Sequence, residues 1–269
     1  MKTVLAPVDF SDASTNAVSF ATEIAKRSSA LLVIVHIFQK KEDENEAKNK
    51  LKSLEADLKK SFGSELICES VIAHGNLIDA MKSIIKVQQP DLIVMGTKGA
   101  SGLKKLLIGS NTVNLLSKTK VPVLVVPEIA RFKNFFRKGK NRIVLATDLD
   151  SLDNEKALDI LKEIALLIIE PKVRVLSVRA KNARLSGSKR TERDFLLSFF
   201  NPEIESERVT IFSNSVLGGI NFYLNERNTD TGLLAMIARD SGHLIQKHYT
   251  REMASHTHLP LLVLFDTKN

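Results

Sequence analysis

Runs of adjacent apolar residues alternate along the chain with stretches in which apolar residues recur every three or four positions. In the first half the runs are Thr3 to Val8, Leu31 to Phe38, Leu66 to Ala73, Asp91 to Met95 and the stretch from Val121. Near-continuous apolarity of this kind marks strands buried on both faces. Between the first two runs, Ala13, Ala17, Phe20, Ala21, Ile24 and Ala25 fall on one face of a helix expected over Asp12 to Ser28. Ser11 or Asp12 is its expected N-cap. Ala47, Leu51, Leu54, Leu58 and Phe62 form a narrow stripe on a charged second helix. A third helix is expected over Gly75 to Val87, stopped by Pro90, and a fourth over Ser110 to Ser117. Strand and helix in strict alternation predict an α/β fold, a parallel sheet covered on both sides.

The pattern occurs twice. Val4-Leu5-Ala6-Pro7-Val8-Asp9 has a counterpart in Val144-Leu145-Ala146-Thr147-Asp148, each an apolar run ending in Asp before helix-capping residues. Val121-Pro122-Val123-Leu124-Val125-Val126 has one in Leu259-Pro260-Leu261-Leu262-Val263-Leu264, each with proline at the strand start, where its missing N–H is tolerated. The repeat is ~140 residues, which predicts a tandem duplication. In the second half, strands are expected near 142–147, 173–178, 208–213, 232–237 and 261–265, and helices near 152–169, 190–200, 217–226 and 243–256. The expected organisation is a first domain over 1–127, a basic linker over 128–140 and a second domain over 141–269.

Composition narrows the classes. Apolar residues make 43% and charged residues 26% of the 269, enough core material to exclude global disorder. No apolar run approaches the ~18 residues of a membrane span. Asp9 and Asp12 precede any long apolar stretch, so a secretory signal is not expected and a cytoplasmic location is. The net charge is +8, and residues 128–142 alone hold six basic residues against one acidic. A charge so localised does not make a nucleic-acid face, and no nucleic-acid partner is expected. No membrane partner is expected either. The exception considered is Arg131 to Lys138, a basic amphipathic segment, against the plainer reading that its Phe residues pack on the protein itself.

Single residues with chemical potential have plain readings. Cys68 is the sole cysteine and reads as a small apolar core residue. His36 reads as a packed or hydrogen-bonded histidine. His243, His248, His256 and His258 cluster in sequence, but 243 and 248 miss the i,i+4 spacing of a helical metal pair, so no metal site is expected.

One stretch carries chemistry. Gly96-Thr97-Lys98-Gly99 leads to Gly102 and then to Gly109-Ser110-Asn111-Thr112, between the fourth strand and the fourth helix. Open parallel sheets place ligands at that edge. Glycines let backbone amides approach a ligand closely. A helix opening on Gly-Ser-Asn-Thr presents uncovered N–H groups to an anion. Neither G-x-x-x-x-G-K-[ST] nor G-x-G-x-x-G is present. A flexible surface turn is the bland alternative.

The spacing Gly96-x2-Gly99-x9-Gly109-Ser110 resembles the ATP-binding signature of the universal stress protein family. Pro7-Val8-Asp9-Phe10-Ser11 is similar to the opening motif of that family, and Val121 to Pro127 to its closing strand, so the resemblance covers residues 1–127. It implies two Rossmann-like, flavodoxin-like domains, each with a five-stranded parallel sheet in the order 3-2-1-4-5. It further implies ATP, ADP or AMP as ligand, with Mg2+ accompanying the phosphates. Asp9 would take the ribose and adenine side, with Pro7 and Val8 lining the pocket. Ile37 would offer backbone groups to adenine, and Met95 would pack beneath the nucleotide. Gly96, Thr97, Gly99, Gly109 and Ser110 would carry ribose and phosphates, with Asn111 and Thr112 adding phosphate contacts. The implied function is an ATP-binding regulatory protein of the stress response. The alternatives are a weak ATPase or autophosphorylating enzyme at the same loop, for which no activating base is identifiable, and a non-binding dimeric scaffold.

The second half keeps Asp148 but lacks the glycine spacing. It reads Met236-Ile-Ala-Arg239-Asp240-Ser-Gly242, with a loop about four residues shorter and Asp240 near the phosphate position. It is expected to bind no ATP and to serve structure, through a homodimer or an intramolecular pseudo-dimer in which the two closing strands pair.

Overall fold

The computed structural model describes residues 1–38, 44–97, 109–135, 139, 141–153, 155–226, 230–239, 253 and 258–266. The chain forms two compact units, one mainly Met1–Phe132 and the other mainly Lys133–Met253 with Leu259–Asn269. No helix among the described residues is long and apolar enough to cross a membrane.

The first unit runs β1 (Thr3–Pro7), α1 (Asp12–Ser28), β2 (Leu31–Phe38), α2 (Glu44–Phe62), β3 (Cys68–His74), α3 (Leu77–Gln88), β4 (Leu92–Gly96), α4 (Ser110–Lys118) and β5 (Val123–Val126). The strands pair in parallel in the order β3-β2-β1-β4-β5. Every residue of β4 and β5 is buried, in keeping with their unbroken apolar runs. No residue of β3, the edge strand, is fully buried. In α1 the stripe from Ala13 to Ala25 is buried around Phe20, whose full burial contributes about 1.5–3 kcal/mol. Ser11 is its N-cap, the hydroxyl accepting from the Ser14 amide at 3.3 Å.

Several boundaries differ from expectation, among them the first helix of the second unit, which runs from Lys156 to Leu166 and not over 152–169, and two differ for clear local reasons. α3 starts at Leu77 and not at Gly75, because Gly75 sits at φ +116°, outside the right-handed helical region. Asn76 caps the helix by accepting from the Ile78 amide at 2.9 Å. β5 starts after Pro122, which has no N–H to give to the ladder.

A short helix, α5 (Phe132–Phe135), follows β5. Phe135 is buried, and the Phe132 ring lies 5.5 Å from that of Phe62. These two aromatic residues of the basic segment therefore pack against protein.

The second unit runs β6 (Arg142–Ala146), α6 (Lys156–Leu166), β7 (Lys172–Arg179), α7 (Gly187–Phe200), β8 (Glu205–Phe212), α8 (Val216–Glu226), β9 (Thr231–Arg239) and β10 (Leu261–Asp266). Its parallel order, β8-β7-β6-β9-β10, repeats the first unit's third-second-first-fourth-fifth arrangement. Of the helix expected over 243–256, all but Met253 lies outside the described residues.

The units correspond bond by bond. The Val8 amide donates to Val35 O at 2.8 Å, as Thr147 does to Leu176 O at 3.0 Å. Ile93 donates to Pro122 O at 2.9 Å, as Leu234 does to Pro260 O at 3.0 Å. Phe10 and Leu149, each following the terminal Asp, sit at φ 60° and 61°. Leu5 pairs with Ile93, and Val144 with Leu234. Counting on from those pairs makes Met236 the counterpart of Met95, and Ile237 that of Gly96.

Candidate functional site

A cavity of about 200 Å³ opens at the carboxyl ends of β1, β2 and β4. Pro7, Val8 and Asp9 form its floor where β1 ends, and Ile37 closes the β2 side. Met95 and Gly96 bring in the end of β4, and Asn111 and Thr112 the first turn of α4. Eight of the twelve residues predicted from sequence thus line one cavity, although they span 106 positions of chain. The parallel crossovers bring all strand ends to the same edge.

The local chemistry holds these groups in place. The Asp9 carboxylate accepts from the Ser11 amide at 3.1 Å and its hydroxyl at 2.6 Å, which closes the turn containing the left-handed Phe10. Ser14 receives the Asp9 amide at 3.2 Å. His36 carries its Nδ1 2.7 Å from Val8 O, and a carbonyl accepts only, so that nitrogen bears a proton. Its ring packs 4.8 Å from Phe10. The packed, hydrogen-bonded histidine read from sequence is what the structure contains.

Gly96 has a second reason to be glycine. A Cβ there would stand 2.7 Å from Ala13 O and 3.2 Å from the Ser14 amide, so the start of α1 rests on the missing side chain. Thr112 is buried, and its hydroxyl donates to Gly96 O at 2.9 Å, tying α4 to the end of β4. Thr97, Gly109 and Ser110 do not line the cavity. The Thr97 amide donates to Val126 O at 3.1 Å, and its carbonyl accepts from Gly109 at 2.5 Å, so these two residues hold the ends of the loop together. Ser110 is exposed at the head of α4. Gly99 lies outside the described residues.

Sequence reasoning missed the β3 side. Gly75, Asn76, Leu77 and Ile78 also line the cavity, so the amino terminus of α3 faces it together with that of α4. The signal was present: glycine and an N-cap residue immediately after a strand and before an apolar helix. The two helix starts differ. Asn76 caps α3 with its side chain, whereas Gly109 leaves α4 without a side-chain cap. Asp9 is the single ionisable residue among the described cavity-lining residues. Among the described residues, the α4 side of the cavity presents backbone amides and the positive end of the helix dipole.

The sequence model for the universal stress protein family matches residues 1–127. Residues 1–127 belong to the universal stress protein family. The universal stress protein YxiE of Bacillus subtilis is 29% identical over 143 residues, covering 46% of this chain and 97% of that one. The universal stress protein MJ0577 of Methanocaldococcus jannaschii is 27% identical over 152 residues, covering 46% and 94%. A crystal structure of a universal stress protein from Archaeoglobus fulgidus matches 98% of this chain and 96% of its own at 16% identity, with a TM-score of 0.71, a likeness of fold.

Among the described residues of the unit that follows this universal stress protein domain, the corresponding position is nearly filled. The pocket beside Asp148 measures about 10 Å³, although Thr147, Asp148, Leu176 and Val178 are the register counterparts of Val8, Asp9, Val35 and Ile37. Arg239, at the end of β9, binds the Asp148 carboxylate through Nη1. It also binds Asp266 through Nε at 2.9 Å and donates to Asp150 O at 2.6 Å. The sequence reading attached the loss of the site to missing counterparts of Gly96, Gly109 and Ser110, to a shorter loop and to Asp240. Asp240 lies outside the described residues, and the arginine beside it was overlooked.

Cys68 is partly buried, and burial, reinforced by Glu55, pushes its thiol up to about 12, so it is no nucleophile at neutral pH. Among the described residues no three His, Cys, Asp or Glu side chains come together as metal ligands. His243, His248 and His256 lie outside the described residues, and His258 is exposed.

Proposed function

We propose that the universal stress protein domain holds an adenine nucleotide, ATP in the first instance, and that the chain is a nucleotide-responsive regulatory protein. The observation that carries this reading is the cavity itself. It joins a carboxylate on β1, an apolar floor and the glycine-capped start of α4 at one sheet edge. The Asp9 carboxylate is suited to accept hydrogen bonds from a sugar hydroxyl. Met95 and Ile37 offer apolar surface to a base. The first amides of α4 suit a polyphosphate. Mg2+ would enter with the phosphates, because no described metal-ligand cluster is available to hold it alone. Regulation is favoured over turnover because Asp9, the one ionisable residue among the described lining residues, already has one carboxylate oxygen engaged by Ser11.

The test is to denature the purified full-length chain, identify released nucleotide by mass, and measure thermal unfolding with added ATP, ADP and AMP. A ligand at 100 times its Kd stabilises by about 2.7 kcal/mol, a rise of about 5–10 °C for a unit of this size. No copurifying nucleotide and no shift with any of the three at millimolar concentration would overturn the proposal. Phosphate release and protein mass after incubation with Mg-ATP separate binding from slow chemistry.

A further inference from the structure

Arg239 is anchored on every side. Its side chain is 11% exposed, and those of Asp148 and Asp266 are 3% and 1% exposed. Asp266 uses its other oxygen to accept from the Asp153 amide at 2.9 Å. The main chain beyond Asp148 turns its Asp150 carbonyl toward the guanidinium. Glu192 on α7 adds a third carboxyl, 8% exposed, with no hydrogen-bond partner for Oε1 among the described residues. Burial pushes that carboxyl up, and Asp266 and Glu155 act in the same direction against Arg239 and the Leu152 amide. The counterpart of Asp148 in the first unit, Asp9, is exposed at the mouth of an open cavity.

We propose that the cleft of the second unit is a filled site, in which Arg239 sits as a built-in cationic ligand held by Asp148 and Asp266. The carboxylates are the receptor and the guanidinium the occupant. The Asp150 and Asp153 amides each donate one hydrogen bond to these buried carboxylates, and Arg239 supplies the cation that offsets the remaining desolvation penalty. Occupation from within makes this unit indifferent to nucleotide. Removing the arginine side chain converts the cleft into a receptor for a small planar cation.

The experiment uses the full chain, thermal unfolding, and hydrogen exchange at the amides of β6 and β9. Arg239→Ala is expected to lower the unfolding temperature on the order of 10 °C and to speed exchange in β6 and β9. Guanidinium chloride at low millimolar concentration, far below denaturing levels, should restore several degrees to Arg239→Ala and nothing to the unsubstituted chain. Equal sodium chloride should restore neither. If Arg239→Ala unfolds within about 2 °C of the unsubstituted chain, or if guanidinium acts equally on both, the proposal falls. Should Arg239→Ala fail to fold, Arg239→Met with Asp148→Asn keeps the question open to test. Removing the cation together with one receptor group should recover part of the loss seen in Arg239→Met alone, and a double variant no better than the single overturns the proposal. No readout here involves nucleotide, so its failure and that of the first-unit reading are separable.

Discussion

The two clefts start from the same turn and reach opposite states. Asp9 and Asp148 each accept at 3.1 Å from the amide two residues on, around a left-handed residue. In the first unit α1 begins at Asp12, close over the end of β4, because Gly96 has no side chain to meet Ala13. In the second, Ile237 stands at the corresponding place with 2% exposure, and α6 begins at Lys156, eight residues past Asp148 and not three. The described residues between, 149–153 and 155, are non-helical, and Arg239 donates to the Asp150 and Ser151 carbonyls. One topology therefore carries an open cavity in one unit and a closed ion-pair plug in the other. Side-chain volume at one position of the fourth strand, and a cation two residues later, decide which.

The sharpest way to break this comparison is to move the deciding residue. Gly96→Ile places in the first unit what the second unit carries. With the Cβ alone 2.7 Å from backbone oxygen, the variant should lose more than about 3 kcal/mol in urea unfolding and all stabilisation by ATP. A folded variant with unchanged ATP response would refute the role given to Gly96. A milder probe is Thr112→Val, which removes the hydroxyl that donates to Gly96 O. It should lower stability by about 1 kcal/mol, read as a shift in urea midpoint without a change in slope. The smallest effect concerns pH in the second unit. The folded-state value of Glu192 lies above its unfolded value, chiefly through burial, so its contribution is full below the ordinary carboxyl range and is lost as pH rises through the folded value. Glu192→Gln, which cannot ionise, should therefore compare better with the unsubstituted chain at pH 8 than at pH 5. A constant difference between the two pH values would contradict that assignment.

Much of the fold was legible because strands buried on both faces have no polar alternation to confuse their reading. The edge strand β3, with no fully buried residue, was placed two residues early. The β1, β2, β4 and α4 sides of the cavity were legible because they belong to contiguous motifs. The α3 side was missed, because its approach to the cavity depends on the crossover from β3 and not on any neighbouring residue. Thr112 was read as a phosphate contact, yet its hydroxyl is given to Gly96 O, sixteen residues away.

Sequence alone determined the strand and helix alternation, its recurrence, and the family of residues 1–127, because hydrophobic periodicity and glycine spacing act over a few residues. Tertiary structure decided which cleft is open. Asp148, Arg239 and Asp266 are far apart in the chain, and Gly96 meets Ala13 across a sheet–helix interface. Charge pairing and steric exclusion of that kind depend on distance in space, which strand order sets and linear order does not.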